Sequence, residues 1–116
     1  MEDQFQKALD FANYKQTFSI QRKTLKEKAS AKLTYGYAGG LFYIDRSLIA
    51  FVQMLIDAGR IDNVPIIDNN DNPVLIEDLT VFRDEIIDRY FAVTLEYYNS
   101  YSELKKNRSV EKIINL

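Results

Sequence analysis

The feature that most constrains this chain is an uninterrupted helical pattern at residues 3–33, which contain neither Gly nor Pro. Its apolar positions recur at steps of three, four or seven residues, so they share one helical face: Phe11, Tyr14, Phe18, Leu25, Ala29 and Leu33. A helix of this length extends ~45 Å, whereas a compact domain of this size is ~30–35 Å across. The helix therefore either breaks near Thr17–Ser19 or projects, and a projecting apolar face needs a partner.

A second long helix is predicted at residues 79–106, with Asp78 or Thr80 as its N-cap. Its main apolar stripe again steps by three or four residues and comprises Leu79, Phe82, Ile86, Tyr90, Val93, Tyr97, Tyr101 and Leu104. A second stripe comprises Ile87, Phe91, Leu95 and Tyr98. The last residues, 109–116, are predicted to form a short terminal helix or a tail, with Ser109 as a cap.

The glycine-rich stretch "YGYAGGLF" at residues 35–42 holds three of the four glycines. A phosphate-binding loop needs a GxxxxGK[ST] or GxGxxG pattern in front of a helix, and these glycines follow a helix and match neither pattern. Glycine supplies the left-handed conformation that ends many helices. We therefore predict that this stretch ends the first helix, that Gly39–Gly40 reverses the chain, and that residues 41–44 form a short strand.

The segment between the long helices predicts a short helix and a β-hairpin. Residues 46–58, with Asp45 as the N-cap, are apolar over most of the helical surface, so we expect a buried central helix. Two apolar runs, 64–67 and 74–76, flank the polar turn Asp68–Asn72. Asn and Asp tolerate positive φ and bond their own backbone, which favours a tight turn here.

Together these patterns predict a single α+β domain over residues 1–116, mostly α. Its elements are two long helices, one buried short helix and a small antiparallel β-hairpin, to which residues 41–44 would add a third strand. The apolar fraction of 47% and the charged fraction of 28% are those of an ordinary globular protein.

The absence of His and Cys excludes whole classes of chemistry. No Ser-His-Asp or Cys-His nucleophile can form, and structural zinc lacks its usual ligands. An EF-hand loop starting at Asp68 fails at its two strict positions, which hold Pro73 and Leu79 instead of Gly and Glu. The acids at 84, 85 and 88 are flanked by arginines and indicate a solvated helix face. We predict no catalytic site, no metal and no cofactor.

Charge is distributed in blocks along the chain. A basic block comprises Arg22, Lys23, Lys26, Lys28 and Lys32, and residues 105–112 are basic again. Residues 57–88 carry nine acids and two bases. The basic block either meets an acidic protein surface, such as residues 57–88 of a sister subunit, or binds nucleic acid. The sequence pI of about 5.1 and the lack of a recognised nucleic-acid motif favour protein.

The long helices also hold the predicted protein interface. Tyrosine contributes a large contact area with a polar tip, so we predict an interface, and a homo-oligomer, from Phe11, Tyr14, Phe18, Leu25, Tyr97, Tyr98 and Tyr101. No apolar run approaches the ~18–20 residues that span a bilayer, and the acidic start is unlike a signal peptide. We therefore expect a cytoplasmic protein without a membrane partner.

The chain as a whole resembles the small accessory proteins of large contractile-tailed phages, including those that infect cyanobacteria. The resemblance is carried by "YKQTFSIQRKTLKEKASAKLTYGYAGGLFYIDRSLIAFVQMLI" (14–56), "DNNDNPVLIEDL" (68–79) and "RYFAVTLEYYNSYSELKKNRSVEKIINL" (89–116). It implies a non-enzymatic virion, assembly or host-takeover role, in the host cell or the virion. Three hypotheses follow: a structural or assembly protein, a nucleic-acid-associated accessory factor that uses residues 22–32 and 105–112, and a small regulator of a host enzyme.

Overall fold

The computed structural model describes the backbone of residues 2–114 and the side chains of residues 3–107. Within that part of the chain lie three helices and two antiparallel hairpins, so the α+β, mostly helical class is confirmed. The elements are α1 (Glu2–Lys32), β1 (Thr34–Tyr37), β2 (Gly40–Tyr43), α2 (Arg46–Asp57), β3 (Asp62–Ile67), β4 (Pro73–Asp78) and α3 (Leu79–Ile114).

Contacts divide the chain into two units. The hairpin unit consists of residues 30–95, and the helix pair consists of the residues of α1 up to Ala29 and those of α3 from Glu96 onward. α3 therefore contributes its first half to the hairpin unit and its second half to the helix pair.

α1 is one continuous helix, so the alternative of a break near Thr17–Ser19 is wrong. The Thr17 hydroxyl donates to the carbonyl oxygen of Asn13 at 2.8 Å, and Thr24 donates to that of Ile20 at 3.1 Å. A threonine is accommodated inside a helix by this back-bonding, because its hydroxyl then needs no other partner.

The glycine-rich stretch forms a β-hairpin. β1 and β2 pair antiparallel, and the two residues Ala38 and Gly39 join them. Their φ angles are both positive, 48° and 82°, which is the combination of the type I′ turn. The reversal predicted at Gly39–Gly40 is thus found one residue earlier, at Ala38–Gly39. The prediction that the glycine-rich stretch ends the first helix is wrong, because α1 ends at Lys32 and residues 34–37 form β1.

The aromatic residues of this hairpin explain why it is a strand pair. Alternate residues of a strand point to the same side, so Tyr35 and Tyr37 both reach Phe82 of α3. Their ring centroids lie 6.0 and 5.3 Å from that of Phe82, and the ring of Phe42 lies 5.4 Å from it. Phe82 is consequently buried by three rings from one hairpin.

The second hairpin, β3 with β4, has the predicted turn at residues 68–72. Asp68 organises that turn: its carboxylate accepts the backbone N–H groups of Asn70 at 3.0 Å and Asn72 at 2.9 Å. A third bond, from the N–H of Leu41 at 2.9 Å, reaches it from β2. Hydrogen bonds to the ionised form, that of Leu41 foremost, hold the pKa of Asp68 below its ordinary value.

Residues 41–44 do not join the second hairpin as a third strand, because β2 pairs with β1 in a separate two-stranded sheet. Two bonds nevertheless connect Leu41 to the second turn. Its N–H donates to Asp68, and its carbonyl oxygen accepts the N–H of Asn69 at 2.9 Å.

The core of the hairpin unit comprises Tyr35, Phe42, Ile44, Val52, Ile66, Val74, Ile76, Leu79, Phe82 and Ile86. α2 contributes only Val52 to this set, and Phe51 and Met54 are 45% and 56% exposed. The prediction of a buried central helix is therefore not confirmed. The hairpins and the first turns of α3 occupy the centre, and α2 packs on it with one face.

Asp78 is the cap of α3, one of the two predicted candidates. Its carboxylate accepts the hydroxyl and the N–H of Thr80 at 2.6 and 3.0 Å, which satisfies a free N–H of the first turn. The Thr80 hydroxyl is the main reason why the pKa of Asp78 is lowered. At its other end the backbone of α3 continues to Ile114. The predicted end at residue 106 and the separate terminal helix are therefore wrong, and the side chain of Ser109 lies outside the described residues.

Candidate functional site

Among its described side chains, the helix pair has no closed core. Its half-buried face on α1 includes Tyr14, Phe18 and Leu25, as the sequence pattern predicts. Phe18 meets Tyr101 of α3 edge-on, with 6.2 Å between ring centroids, which is a favourable aromatic geometry. Among the described side chains of this unit none is fully buried, whereas every member of the buried core belongs to the hairpin unit. Two helices alone cannot cover their apolar surface.

The predicted interface residues are divided by the structure into two groups. Half-buried within the helix pair are Tyr14, Phe18, Leu25, Tyr97 and Tyr101. Phe11 and Tyr98 are 48% and 65% exposed. α1 exposes further apolar side chains that the prediction missed, namely Phe5, Leu9 and Ile20. For Phe5 and Leu9 the available signal was their spacing of four residues near the start of α1.

A groove of about 450 Å³ lies between the two helices of the pair. Its aromatic residues are Tyr14, Phe18 and Tyr101, and its cations are Lys15, Arg22 and Lys105, with Ser19 among them. The groove therefore combines flat apolar surface with positive charge. Such a lining accepts a ligand that is apolar in part and carries negative charge. We refer to it as the aromatic–cationic groove.

Sequence reasoning named four of the groove residues, placed Lys105 only within the basic segment 105–112, and missed Lys15 and Ser19. Lys15 and Ser19 flank the aromatic stripe of α1, and Lys105 follows Tyr101 by one helical turn. Residues three or four apart on a helix are neighbours, so the i, i+4 spacing of Tyr101 and Lys105 was the available signal.

The predicted basic block is exposed throughout, but only Arg22 of its five members lines the groove. Lys23 lies 4.0 Å from Glu27, and both side chains are largely exposed. An exposed pair of this kind contributes little stability. Lys26 and Lys28 lie farther along α1 than the groove-lining residues. The basic block is thus an exposed surface whose first residue, Arg22, lines the groove.

A second exposed surface lies on α3 within the hairpin unit. Asp84, Ile87, Asp88, Phe91 and Leu95 fall within about 100° of the helix circumference, given 100° per residue. Ile87, Phe91 and Leu95 are 38%, 66% and 47% exposed, and both aspartates are exposed. We call these five residues the acidic–apolar face. It contains most of the second stripe that the sequence pattern showed on this helix.

The two units differ in charge. The hairpin unit, residues 30–95, contains five Lys or Arg and ten Asp or Glu, a formal charge of −5. The rest of the chain contains ten Lys or Arg and seven Asp or Glu, a formal charge of +3. The overall charge of −2 is therefore the sum of two opposite charges, −5 in the hairpin unit and +3 in the rest of the chain.

A polar cluster in the hairpin unit joins β1 to α3. The Arg89 guanidinium lies over the Tyr35 ring at 4.5 Å, and the Glu85 carboxylate interacts with the Tyr35 hydroxyl. Burial, followed by the interaction with Glu85, raises the pKa of Tyr35 to about 12. Both effects favour the neutral hydroxyl. Tyr35 thus stays protonated and connects the two elements, and the cluster has the geometry of a structural contact.

No three His, Cys, Asp or Glu side chains of the described residues are placed to hold a metal ion. In the same part of the chain, no helix is both long and apolar enough to cross a membrane. No protein-family model matches this chain, and no match was found among curated proteins or solved structures.

Proposed function

We propose that this protein is a non-catalytic structural or assembly protein that acts through protein–protein contacts and associates with copies of itself. The helix pair carries the proposal, because none of its described side chains is fully buried. Burial of apolar area is the main driving force of association. A further protein surface would supply the contact area that two helices lack.

The exposed apolar side chains of α1 support this proposal. Phe5 and Ile20 are 71% and 57% exposed, and Leu9 and Phe11 are 44% and 48% exposed. Single exposed apolar residues are common, but several along one helix indicate a contact surface. The opposite charges of the two units add an electrostatic attraction between copies.

The test is a measurement of mass by light scattering over a wide concentration range. We expect the wild-type protein to form oligomers, and Phe11→Glu to weaken them, because the Phe11 ring contacts Lys15 of the groove. The matched control is Phe51→Glu, because Phe51 of the hairpin unit is 45% exposed against 48% for Phe11. A strictly monomeric wild type at high concentration would refute self-association.

A nucleic-acid-associated accessory factor is the second candidate, and the aromatic–cationic groove favours it. Lysine and arginine neutralise phosphates, and aromatic rings stack on bases. The basic segments 22–32 and 105–112 would extend such a surface. In a gel-shift assay at near-physiological salt we expect no binding to DNA or RNA. Tight, salt-sensitive binding there would replace the assembly proposal.

The resemblance to accessory proteins of contractile-tailed phages supports a place in the virion or in its assembly. A regulator that binds a host enzyme is the remaining protein-binding alternative. Purification of the tagged protein from infected cells distinguishes the two, since an assembly protein is recovered with virion components and a regulator with a host enzyme.

A further inference from the structure

We propose that copies associate head to tail: the aromatic–cationic groove of one copy receives the acidic–apolar face of α3 of a second copy. This inference rests on the proposed self-association and specifies its geometry. The occupant of the groove is thus a second copy of this chain.

The groove requires a partner with two properties. Its aromatic residues, Tyr14, Phe18 and Tyr101, offer apolar surface, and Lys15 and Arg22 provide charge along α1. These two cations are seven residues apart, which is ~10 Å along the helix. A fitting partner therefore presents apolar side chains together with carboxylates over a similar length.

The acidic–apolar face has both properties. Asp84 and Asp88 are one turn apart, ~6 Å along the helix, and Phe91 and Leu95 extend the surface to ~16 Å. Phe91, 66% exposed, is the largest exposed side chain of this face. A ring of that size can pack on the groove aromatics while the aspartates approach the cations.

The charged groups near this face leave it acidic. Arg83 binds Asp84 at 3.0 Å and also donates to Gln53 at 3.3 Å. Arg89 lies over the Tyr35 ring, and Glu85 interacts with the Tyr35 hydroxyl. Arg83 thus offsets Asp84, whereas Asp88 has no ion pair among the described side chains.

Charge also argues against a contact of either surface with its own copy. A groove against a groove would bring cations together, and an acidic–apolar face against its own copy would bring carboxylates together. Like charges in contact are strongly unfavourable. Pairing of the groove with the face of the next copy in one direction generates a ring or an open chain, whereas reciprocal pairing of two copies generates a two-fold dimer.

The experiment uses two charge-reversed variants of the full chain. The groove variant is Lys15→Glu with Arg22→Glu, and the face variant is Asp84→Lys with Asp88→Lys. We expect each variant alone to associate at least about tenfold more weakly than wild type in sedimentation velocity. The matched control is Lys26→Glu with Lys28→Glu, which reverses two exposed charges outside the groove and should alter the dissociation constant less than threefold. Circular dichroism verifies that each variant is folded.

Mixing the variants is the decisive step. In an equimolar mixture the acidic groove of one variant meets the basic face of the other, and the two unaltered surfaces also pair. We expect the mixture to assemble as wild type does, although neither variant does so alone. Failure of the mixture to assemble would overturn the head-to-tail geometry.

Other outcomes separate this inference from the proposed function. If wild type and both variants associate equally, self-association stands and the groove contact is wrong. A monomeric wild type would contradict both the proposed self-association and the groove contact. If wild type binds a short single-stranded oligonucleotide and the groove variant does not, the groove is a nucleic-acid-binding site and the inference is overturned.

Discussion

Gly40 of β2 lies directly against Val74 of β4, at the place where the two hairpins meet. A Cβ atom on residue 40 would overlap the Val74 Cγ2 methyl group and lie 3.3 Å from Asp68 Oδ2. Gly40 is therefore required for the close approach of the two hairpins. The glycine-rich stretch is a structural feature on two counts, since Gly39 supplies the turn and Gly40 supplies the contact.

We expect Gly40→Ala to lower the free energy of unfolding by about 1–3 kcal/mol, because an added methyl group forces the hairpins apart. Urea denaturation measures the change. Gly36→Ala is the matched control, since its Cβ would meet only the Gly40 carbonyl oxygen at 3.9 Å. Equal losses in the two variants would contradict a specific contact at residue 40.

Ala38 is the strained member of the β1–β2 turn, with φ at 48°. Asparagine tolerates this region better than alanine does, and Asn-Gly is the favoured pair of a type I′ turn. Ala38→Asn should therefore raise the free energy of unfolding by about 0.5–1 kcal/mol. Ala58→Asn, at a position with φ of −81°, should bring no such gain. A loss of stability in Ala38→Asn would contradict the turn geometry.

Because of Asp68, the stability of the protein should depend on pH in the acid range. Because its folded pKa lies below the ordinary 3.8, its stabilising effect is present above about pH 4 and is lost as pH falls through the lowered pKa. Asp68→Asn should lower the thermal midpoint at neutral pH, since an amide NH₂ group would oppose one of the three N–H donors.

The matched control for Asp68 is Asp71→Asn in the same turn, because Asp71 is exposed and its φ of 62° suits asparagine. The difference between Asp68→Asn and wild type should narrow as pH falls below 3.8, the ordinary pKa. A difference that stays constant with pH would show that the charge of Asp68 is not involved.

Tyr35 predicts a second pH effect, at the alkaline end. Its pKa is raised from 10.0 to about 12. The contribution of Tyr35 to stability is therefore complete below pH 10 and is lost between pH 10 and about 12, because Tyr35 ionises at lower pH in the unfolded chain than in the folded one. We expect a loss of up to about 2 kcal/mol over this interval.

In Tyr35→Phe this alkaline loss should be absent, and the free energy of unfolding at neutral pH should fall by about 1 kcal/mol with the lost interaction of the hydroxyl. Tyr43→Phe is the control, because that side chain is 56% exposed. Denaturation at several pH values measures both effects. An alkaline loss of the same size in Tyr35→Phe and wild type would assign it to other groups.

Local signals were sufficient for much of the fold. The period of apolar residues located α1 and the start of α3, Asp45 marked the start of α2, and the Asn and Asp residues of the turn at 68–72 located the β3–β4 hairpin. Asp45 indeed accepts the N–H of Leu48 at 2.7 Å. Each of these signals depends on residues within one or two turns, which is why a sequence shows them.

β1 escaped prediction because its evidence is distant. Neither Gly nor Pro separates α1 from Tyr35. The strand conformation of residues 35–37 depends on the contact of the Tyr35 and Tyr37 rings with Phe82, which lies more than forty residues later in the sequence. The same reason applies to the groove. Lys15 and Arg22 are on α1, whereas Tyr101 and Lys105 are on α3, and only folding brings them together.

The sequence by itself determined which segments are helical, that α3 carries two apolar stripes, and that basic and acidic residues occupy different parts of the chain. Only the tertiary structure decided which stripe is covered. Phe82 and Ile86 are buried because the hairpins pack on them, whereas Phe91 and Leu95, with the same periodicity, are exposed. Periodicity defines a face within one helix, but its burial depends on surfaces supplied by segments far away in the sequence.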